Sequence, residues 1–218
     1  MYHRVQWPAL ARDALPSLVV PPDRFTAQLA ALAQAGWRTI TVADLARLLA
    51  EGRRPGPRTL AISFDDGFAD GYTVALPILR RFGDVATFYV VTGRLGEADH
   101  LSASDVRALA AAGMEIGDHT VGHLDLARLS PDRLRYQVER SAERIRALTG
   151  SSPITFAYPY GDCSPAVVAE LQRDGFLLAV TNREGVGEAW PWRYAVPRIR
   201  VGPSTSPADL LARLAPYR

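Results

Sequence analysis

Two rhythms of apolar and polar positions take turns along this chain. Short β-prone runs, such as residues 59–64 (TLAISF) and 85–91 (VATFYVV), are separated by stretches whose apolar residues recur at helical spacing. That alternation is the signature of βα units around a parallel sheet. Phe25, Leu29 and Leu32 stand at i, i+4 and i+7, which predicts a helix capped by Asp23 and ending near Gly36. Residues 38–42 (RTITV) read as a strand and 43–50 (ADLARLLA) as a helix, after which a Gly/Pro-rich turn leads into the strand 59–64. A helix over 72–82 and the strand 85–91 follow, then a helix from the capping-box pair Ser102 and Asp105 to Ala112 and a strand over 114–120. Ser130 and Pro131 open a long helix to about Leu148. The segment 154–161 (ITFAYPYG), a helix over 165–173, strands at 176–180 and 195–201 and a helix near 207–214 complete the series. Seven or eight strands with no internal repeat, low-complexity tract or linker predict one α/β domain over residues 1–218, a distorted (β/α)7-type barrel.

Composition narrows the partners. At 218 residues with 48% hydrophobic content, the chain can bury a full core. Its net charge is only +2, and the basic residues are scattered arginines with no lysine, so no basic stripe points to nucleic acid or a membrane surface. Cys163 is the single cysteine, which excludes a disulfide framework and any multi-cysteine zinc or iron–sulfur site. No run approaches the roughly 18 apolar residues of a membrane span, and the chain as given shows no signal peptide. The expected location is therefore the cytoplasm, or outside it after removal of a leader upstream.

In parallel α/β folds, chemistry collects where strands end. Three such ends carry polar residues. In SFDDG, Asp65 and Asp66 follow a strand and Gly67 frees the backbone, so both carboxylates can be turned to one site, although DDG alone is an ordinary turn. In GDHTVGH, His119 and His123 are four apart just past a strand, and on a helical turn that spacing puts two imidazoles within reach of one metal ion. A pair of hydrogen-bonding surface histidines is the plainer alternative. One carboxylate from the first end would complete an Asp/His/His set with open positions, as catalytic zinc requires. In FAYPYG, proline and glycine stiffen a turn that can leave the Tyr160 N–H aimed into the site as an oxyanion donor.

These segments, in this order, resemble the polysaccharide deacetylases of carbohydrate esterase family 4, the NodB-homology family. The resemblance covers about Leu60 to Val180 for the motifs, and more for the barrel. It implies a distorted (β/α) barrel and a divalent metal, commonly zinc (Zn2+), that serves hydrolysis of N-acetyl or O-acetyl groups on sugars. Cobalt, nickel and iron (Co2+, Ni2+, Fe2+) suit the same donors. By position, it implies Asp66, His119 and His123 as metal ligands and Asp65 as the catalytic base that takes a proton from the attacking water. The expected partner is an acetylated glycan, foremost a polymer or oligomer containing N-acetylglucosamine. Alternatives are another amide, such as a cyclic imide or ureide, an acetyl ester, or a carbohydrate-binding pseudoenzyme without turnover.

The chain departs from that pattern in instructive ways. The common form of the family supplies the leaving amine's proton from a histidine near the C-terminus, yet nothing after His123 is a histidine. His100, in a polar loop, reads as solvated surface. His3 is different, because MYHRV resembles the opening of a circularly permuted branch that includes the poly-N-acetylglucosamine deacetylases, where a Tyr-His does the acid's work. The resemblance thus implies His3 as the catalytic acid. An arginine that often steadies the base is replaced by Ala157, and the usual Asp-x-x-Asp-Trp motif is missing. Strand alternation in AVPRIRV puts Arg198 and Arg200 on one face, and Arg198 is the candidate to replace that arginine. Trp190 and Trp192 suit either sugar stacking or, slightly better, rim packing, and Cys163 reads as a small buried residue.

Overall fold

Residues 1–10, 15–187 and 192–217 are described in a computed structural model. The chain opens with β1 (Arg4–Val5), paired in parallel with β2 (Val19–Val20). In α1 (Pro22–Gln34), Phe25, Leu29 and Leu32 are buried as their spacing predicts, but the cap is Pro21 and not Asp23. Pro21 has no side-chain acceptor, so no side-chain cap forms; Pro22 at the first helical position has no N–H to satisfy, and Asp23 lies in the first turn near the helix's positive end. β3 (Arg38–Ile40), α2 (Val42–Ala50), β4 (Thr59–Ala61) and β5 (Ser63–Phe64) follow. The predicted strand 59–64 is thus broken at Ile62. Its first half pairs with β3 in a separate two-stranded ribbon, and its second half enters the main sheet.

The rest of the chain is a run of βα units. A π-helical turn over Gly71–Ala75 leads into α3 (Leu76–Phe82), then come β6 (Thr87–Val90), α4 (Ala103–Ala111) and β7 (Glu115–Asp118). They are followed by α5 (Pro131–Thr149), β8 (Thr155–Ala157), α6 (Pro165–Arg173), β9 (Leu178–Glu184), β10 (Val196–Arg198) and α7 (Pro207–Leu214). The sheet runs β10-β9-β8-β7-β6-β5, parallel throughout. Residues 1 and 2 span its open side. The Tyr2 N–H donates to the Ser63 carbonyl (2.8 Å) and the Asp65 N–H to that of Tyr2 (3.1 Å), while Met1 is hydrogen-bonded to Ile199 and Val201 beyond β10. The curled sheet is thereby closed into the distorted (β/α) barrel that the strand pattern implies.

α2 stops the barrel's N-terminal end. A capping box between Thr41 and Asp44 starts it, and Val42, Ala46 and Leu49 pack inside against Tyr89, Leu178 and Val180. Its first amides are held by the starts of the strands: Val42 N–H by the Thr87 hydroxyl (2.9 Å) and Ala43 N–H by the Glu115 carboxylate (2.7 Å). Each large apolar side chain fully buried in this way contributes about 1.5–3 kcal/mol. The opposite end, where the strands finish, stays free for chemistry. No described helix is long and apolar enough to cross a membrane.

Candidate active site

β5 ends at Phe64, and the backbone then reverses through two consecutive left-handed residues, Asp66 (φ 72°) and Gly67 (φ 73°). Glycine takes this conformation freely, and a Cβ on Gly67 would press on Val90 at 3.3 Å. Aspartate takes it at a cost, of the order of 1–3 kcal/mol, that the surrounding structure must sustain. The turn separates the tasks of the two neighbouring carboxylates. Asp65 points into the barrel and is buried, whereas Asp66 is turned toward the histidines at the rim.

Arg198, at the end of β10, meets Asp65 with both arms of its guanidinium, at 2.7 Å to Oδ1 and 2.6 Å to Oδ2. Its remaining donors reach the Thr181 carbonyl (3.0 Å), the Ser63 hydroxyl (3.1 Å) and Asn182 Oδ1 (3.3 Å), so the guanidinium is held in one orientation. Burial alone would raise the Asp65 carboxyl; the charge and hydrogen bonds of Arg198, helped by His119 and His3, outweigh it and hold the group below its ordinary value. Position 157 is fully buried alanine, packed with Val42 and Ala46 from the helix that stops the barrel. The positive charge enters the interior from β10, two strands away. The alternation expected through 201 ends at Arg198, because β10 is only three residues long with an irregular register. Arg200 is accordingly exposed.

His119 and His123 come together, but not on a helical turn. After β7 the chain forms an irregular loop in which Thr120 (φ 71°) and His123 (φ 53°) are left-handed. The loop is pinned by side chains at its start and from α5: Asp118 Oδ1 accepts from Thr120 N–H (2.8 Å), Thr120 Oγ1 from His123 N–H (2.9 Å), and Gln137 Oε1, on α5, from Gly122 N–H (2.7 Å). Asp118, Thr120 and Gln137 were not readable as site residues, since their work is done on backbone amides and leaves no spacing signature. His119 Nδ1 lies 2.7 Å from the Ala157 carbonyl, which can only accept, so Nδ1 carries the hydrogen and Nε2 is the nitrogen turned toward Asp66. Nε2 of His119 and Nε2 of His123 each stand 3.3 Å from Asp66 Oδ1.

One ligand atom from each of Asp66, His119 and His123 lies within 4.8 Å of the other two. Two imidazoles and a carboxylate, one imidazole fixed by a backbone carbonyl, are a donor set that fits a divalent metal. Burial would raise the Asp66 carboxyl, but hydrogen bonds and charge from the histidines hold it far below the usual range.

The remaining candidates fall around this centre. His3 is half-buried: burial lowers its pKa, and the opposing charges that act on it are foremost those of Asp65 and Asp66, so the ring lies within electrostatic reach of both. Tyr160 (φ 61°) sits in the turn after β8 with its ring edge-on to His123, centroids 4.9 Å apart, and its side chain is 62% exposed. His100 is not solvated surface. Its ring lies against Phe68 (5.1 Å), and its Nε2 is buried. Trp192 is 69% exposed and so does not serve as rim packing, while Trp190 falls outside the described residues. Cys163 is partly buried against the cluster around Phe156 and Tyr158.

Residues 52–179, more than half of the chain, match the family model described as polysaccharide deacetylase. The Bacillus subtilis protein YxkH is 28% identical over 190 residues, covering 87% of this chain and 68% of that one. A peptidoglycan-N-acetylglucosamine deacetylase of Bacillus cereus is 33% identical over 104 residues, which are 47% of this chain and 36% of that protein. Among solved structures, the Streptococcus pyogenes deacetylase PplD, in complex with acetate, superimposes with a TM-score of 0.89 at 30% identity, covering 98% of this chain and 95% of that one. IcaB from Ammonifex degensii shares the fold, with a TM-score of 0.82 at 24% identity and coverage of 97% and 93%.

Proposed function

The chain belongs to the polysaccharide deacetylase family, and on that premise we propose that it is a metal-dependent hydrolase that removes N-acetyl groups from a poly- or oligosaccharide containing N-acetylglucosamine. The observation that carries this reading is the Asp65–Arg198 pair set beside the Asp66, His119 and His123 donors. A carboxylate kept ionised next to a site able to hold a metal is the equipment for drawing a proton from water. The B. cereus relative, by its name, acts on N-acetylglucosamine in peptidoglycan, which supports the choice of sugar.

In this reading Asp66, His119 and His123 hold the metal, and a divalent ion bound there supplies a Lewis acid for the acetyl carbonyl and eases deprotonation of a water. Asp65 accepts the proton as the water oxygen bonds to the carbonyl carbon. Arg198 keeps the carboxylate ionised and fixed in direction, so that no reorientation is needed when the proton arrives. The Tyr160 N–H donates to the oxygen on which negative charge develops. His3 then gives a proton to the amide nitrogen as the C–N bond breaks, since an amine leaves poorly without one. The products are acetate and the free amino sugar, and one water is consumed. Tyr160, exposed beside His123, also offers a ring for a sugar to rest on.

Acetate release from N-acetylglucosamine oligomers, measured before and after chelation and after return of zinc or cobalt, tests this reading. The expected result is release that chelation abolishes and metal restores, with little acetate from an O-acetylated xylan and no opening of a small cyclic imide. Turnover indifferent to chelator would remove the metal from the account. Release from the ester or opening of the imide, with none from the amide sugar, would replace the substrate.

A further inference from the structure

β1 is only two residues long, and the residue proposed as the acid, His3, precedes it in a bend. Hydrogen bonds of a two-residue strand cannot fix the direction of a side chain at its edge, so something further must hold this segment against the Asp65–Asp66 turn. On one side of His3, the Tyr2 backbone is bonded to Ser63 and Asp65, as the barrel closure requires. On the other side stands Asp70, four residues beyond Asp66. Its Oδ1 accepts the Val5 N–H (2.8 Å) and its Oδ2 accepts Arg4 Nε (2.8 Å). Arg4 and Asp70 are both nearly inaccessible, 2% and 4% exposed. The Arg4 guanidinium lies over the Phe68 ring (4.4 Å), and its Nη1 reaches Asp99 (3.4 Å). Neither Arg4 nor Asp70 belongs to the metal donors or to the Asp65–Arg198 pair. Two charged side chains are nevertheless buried at this point, where water alone would have solvated them at no cost.

We propose that the Arg4–Asp70 pair is a positioning clamp, joining the strand that carries His3 to the loop that carries Asp65 and Asp66 so that proton donor and base keep a fixed separation across the scissile amide. It rests on the reading of His3 as the acid. One carboxylate binds two successive residues after His3, through one backbone and one side-chain donor, and it sits on the loop that also presents the base. Translation or rotation of β1 relative to that loop must break one of these bonds. A displacement of about 1 Å between reacting groups is enough to cost of the order of 100-fold in rate.

Asp70→Asn keeps an acceptor for the Val5 N–H and removes the charge facing Arg4. Metal-loaded enzyme with this change should lose about 10- to 100-fold in kcat for acetate release from an N-acetylglucosamine oligomer, with KM within about twofold. An aryl acetate provides the contrast, because a phenolate leaves without a proton from the enzyme. The ratio of amide to ester turnover should fall in Asp70→Asn as it does in His3→Ala, and the double variant should match His3→Ala alone. Arg4→Lys, which keeps the charge and loses the fixed geometry, provides a second variant if Asp70→Asn does not fold. Equal losses on amide and ester, together with a lowered Tm, would make the pair a support of the fold only and overturn the proposal. If His3→Ala lowers the ratio and neither clamp variant does, the clamp alone falls. If His3→Ala leaves the ratio unchanged, the assignment of His3 falls and takes the clamp with it.

Discussion

Asp65 and Glu115 lie at opposite ends of the same sheet, and their surroundings drive the two carboxylates in opposite directions. Asp65 follows the end of β5 and faces Arg198 through two short hydrogen bonds; Glu115 begins β7 and faces the Thr87 and Thr155 hydroxyls and the Ala43 N–H. Asp65 is buried and Glu115 half-buried. Burial raises each carboxyl, and at Glu115 the surrounding donors fail to cancel it, so the group titrates above its ordinary value. At Asp65 a full opposite charge reverses the balance. The difference is that of neutral donors against a guanidinium. Hydroxyls and amides satisfy a carboxylate's hydrogen bonds without making it a ready anion at low pH, whereas an arginine does both. Glu115 accordingly serves structure, closing the barrel around the first turn of α2, while Asp65 is held in the state a base requires.

The largest disturbance to this contrast is Arg198→Ala. Asp65 is then a buried carboxylate without its counter-charge, which should destabilise the protein by about 3–5 kcal/mol. Turnover on the amide sugar should fall about 100-fold or more as the base loses both its orientation and its ionisation. The acid limb of the rate profile should move to higher pH, because removal of the group that lowers the Asp65 pKa lets it rise. Unchanged turnover and an unchanged profile, measured on folded protein, would break the comparison at its active end.

A smaller effect sharpens the other end. Glu115→Gln preserves acceptors for Thr87 and Ala43 and should leave turnover within about twofold and stability near neutral pH within about 1 kcal/mol. Its signature lies in pH dependence. A carboxyl whose folded pKa is raised contributes stability in full below the unfolded value of 4.5, and that contribution is lost as pH rises through the folded value. Wild type should therefore lose stability across that window relative to Glu115→Gln, and denaturant titrations at a series of pH values would show it. A difference that does not vary with pH would mean that Glu115 has no raised pKa.

The parts of this arrangement that local chemistry determines were legible in the residues. Pro165 and Pro207 mark helix starts, and Ser102 with Asp105 forms the capping box its spacing implies. Arg198 was singled out as a candidate partner for the base because Ala157 left that place empty, and the structure brings the two side chains together. Long-range geometry was less legible. The histidine pair looked helical by spacing, yet its geometry depends on Thr120 and His123 tolerating left-handed backbone held by Gln137 from α5. Asp23 has the chemistry of a cap, but Pro22 at the first helical position is the stronger signal and sets the start of α1. The capping box of Thr41 and Asp44 is an equally local signal. The break at Ile62 and the short β10 follow from barrel closure, which demands that strands splay and stop where a periodic reading lets them run on. His100 misled for a related reason: a polar loop is exposed only if nothing folds over it, and here Phe68 does.

The most direct measurement of the central claim, that the carboxylate held by Arg198 is the base of an amide hydrolase, is the rate of acetate release from an N-acetylglucosamine oligomer by metal-loaded wild type and Asp65→Asn. Asparagine keeps the shape of aspartate and cannot accept the proton. The account predicts steady release by wild type and a loss of about 1,000-fold or more in the variant, with metal content unchanged. Equal release by the two proteins would contradict it.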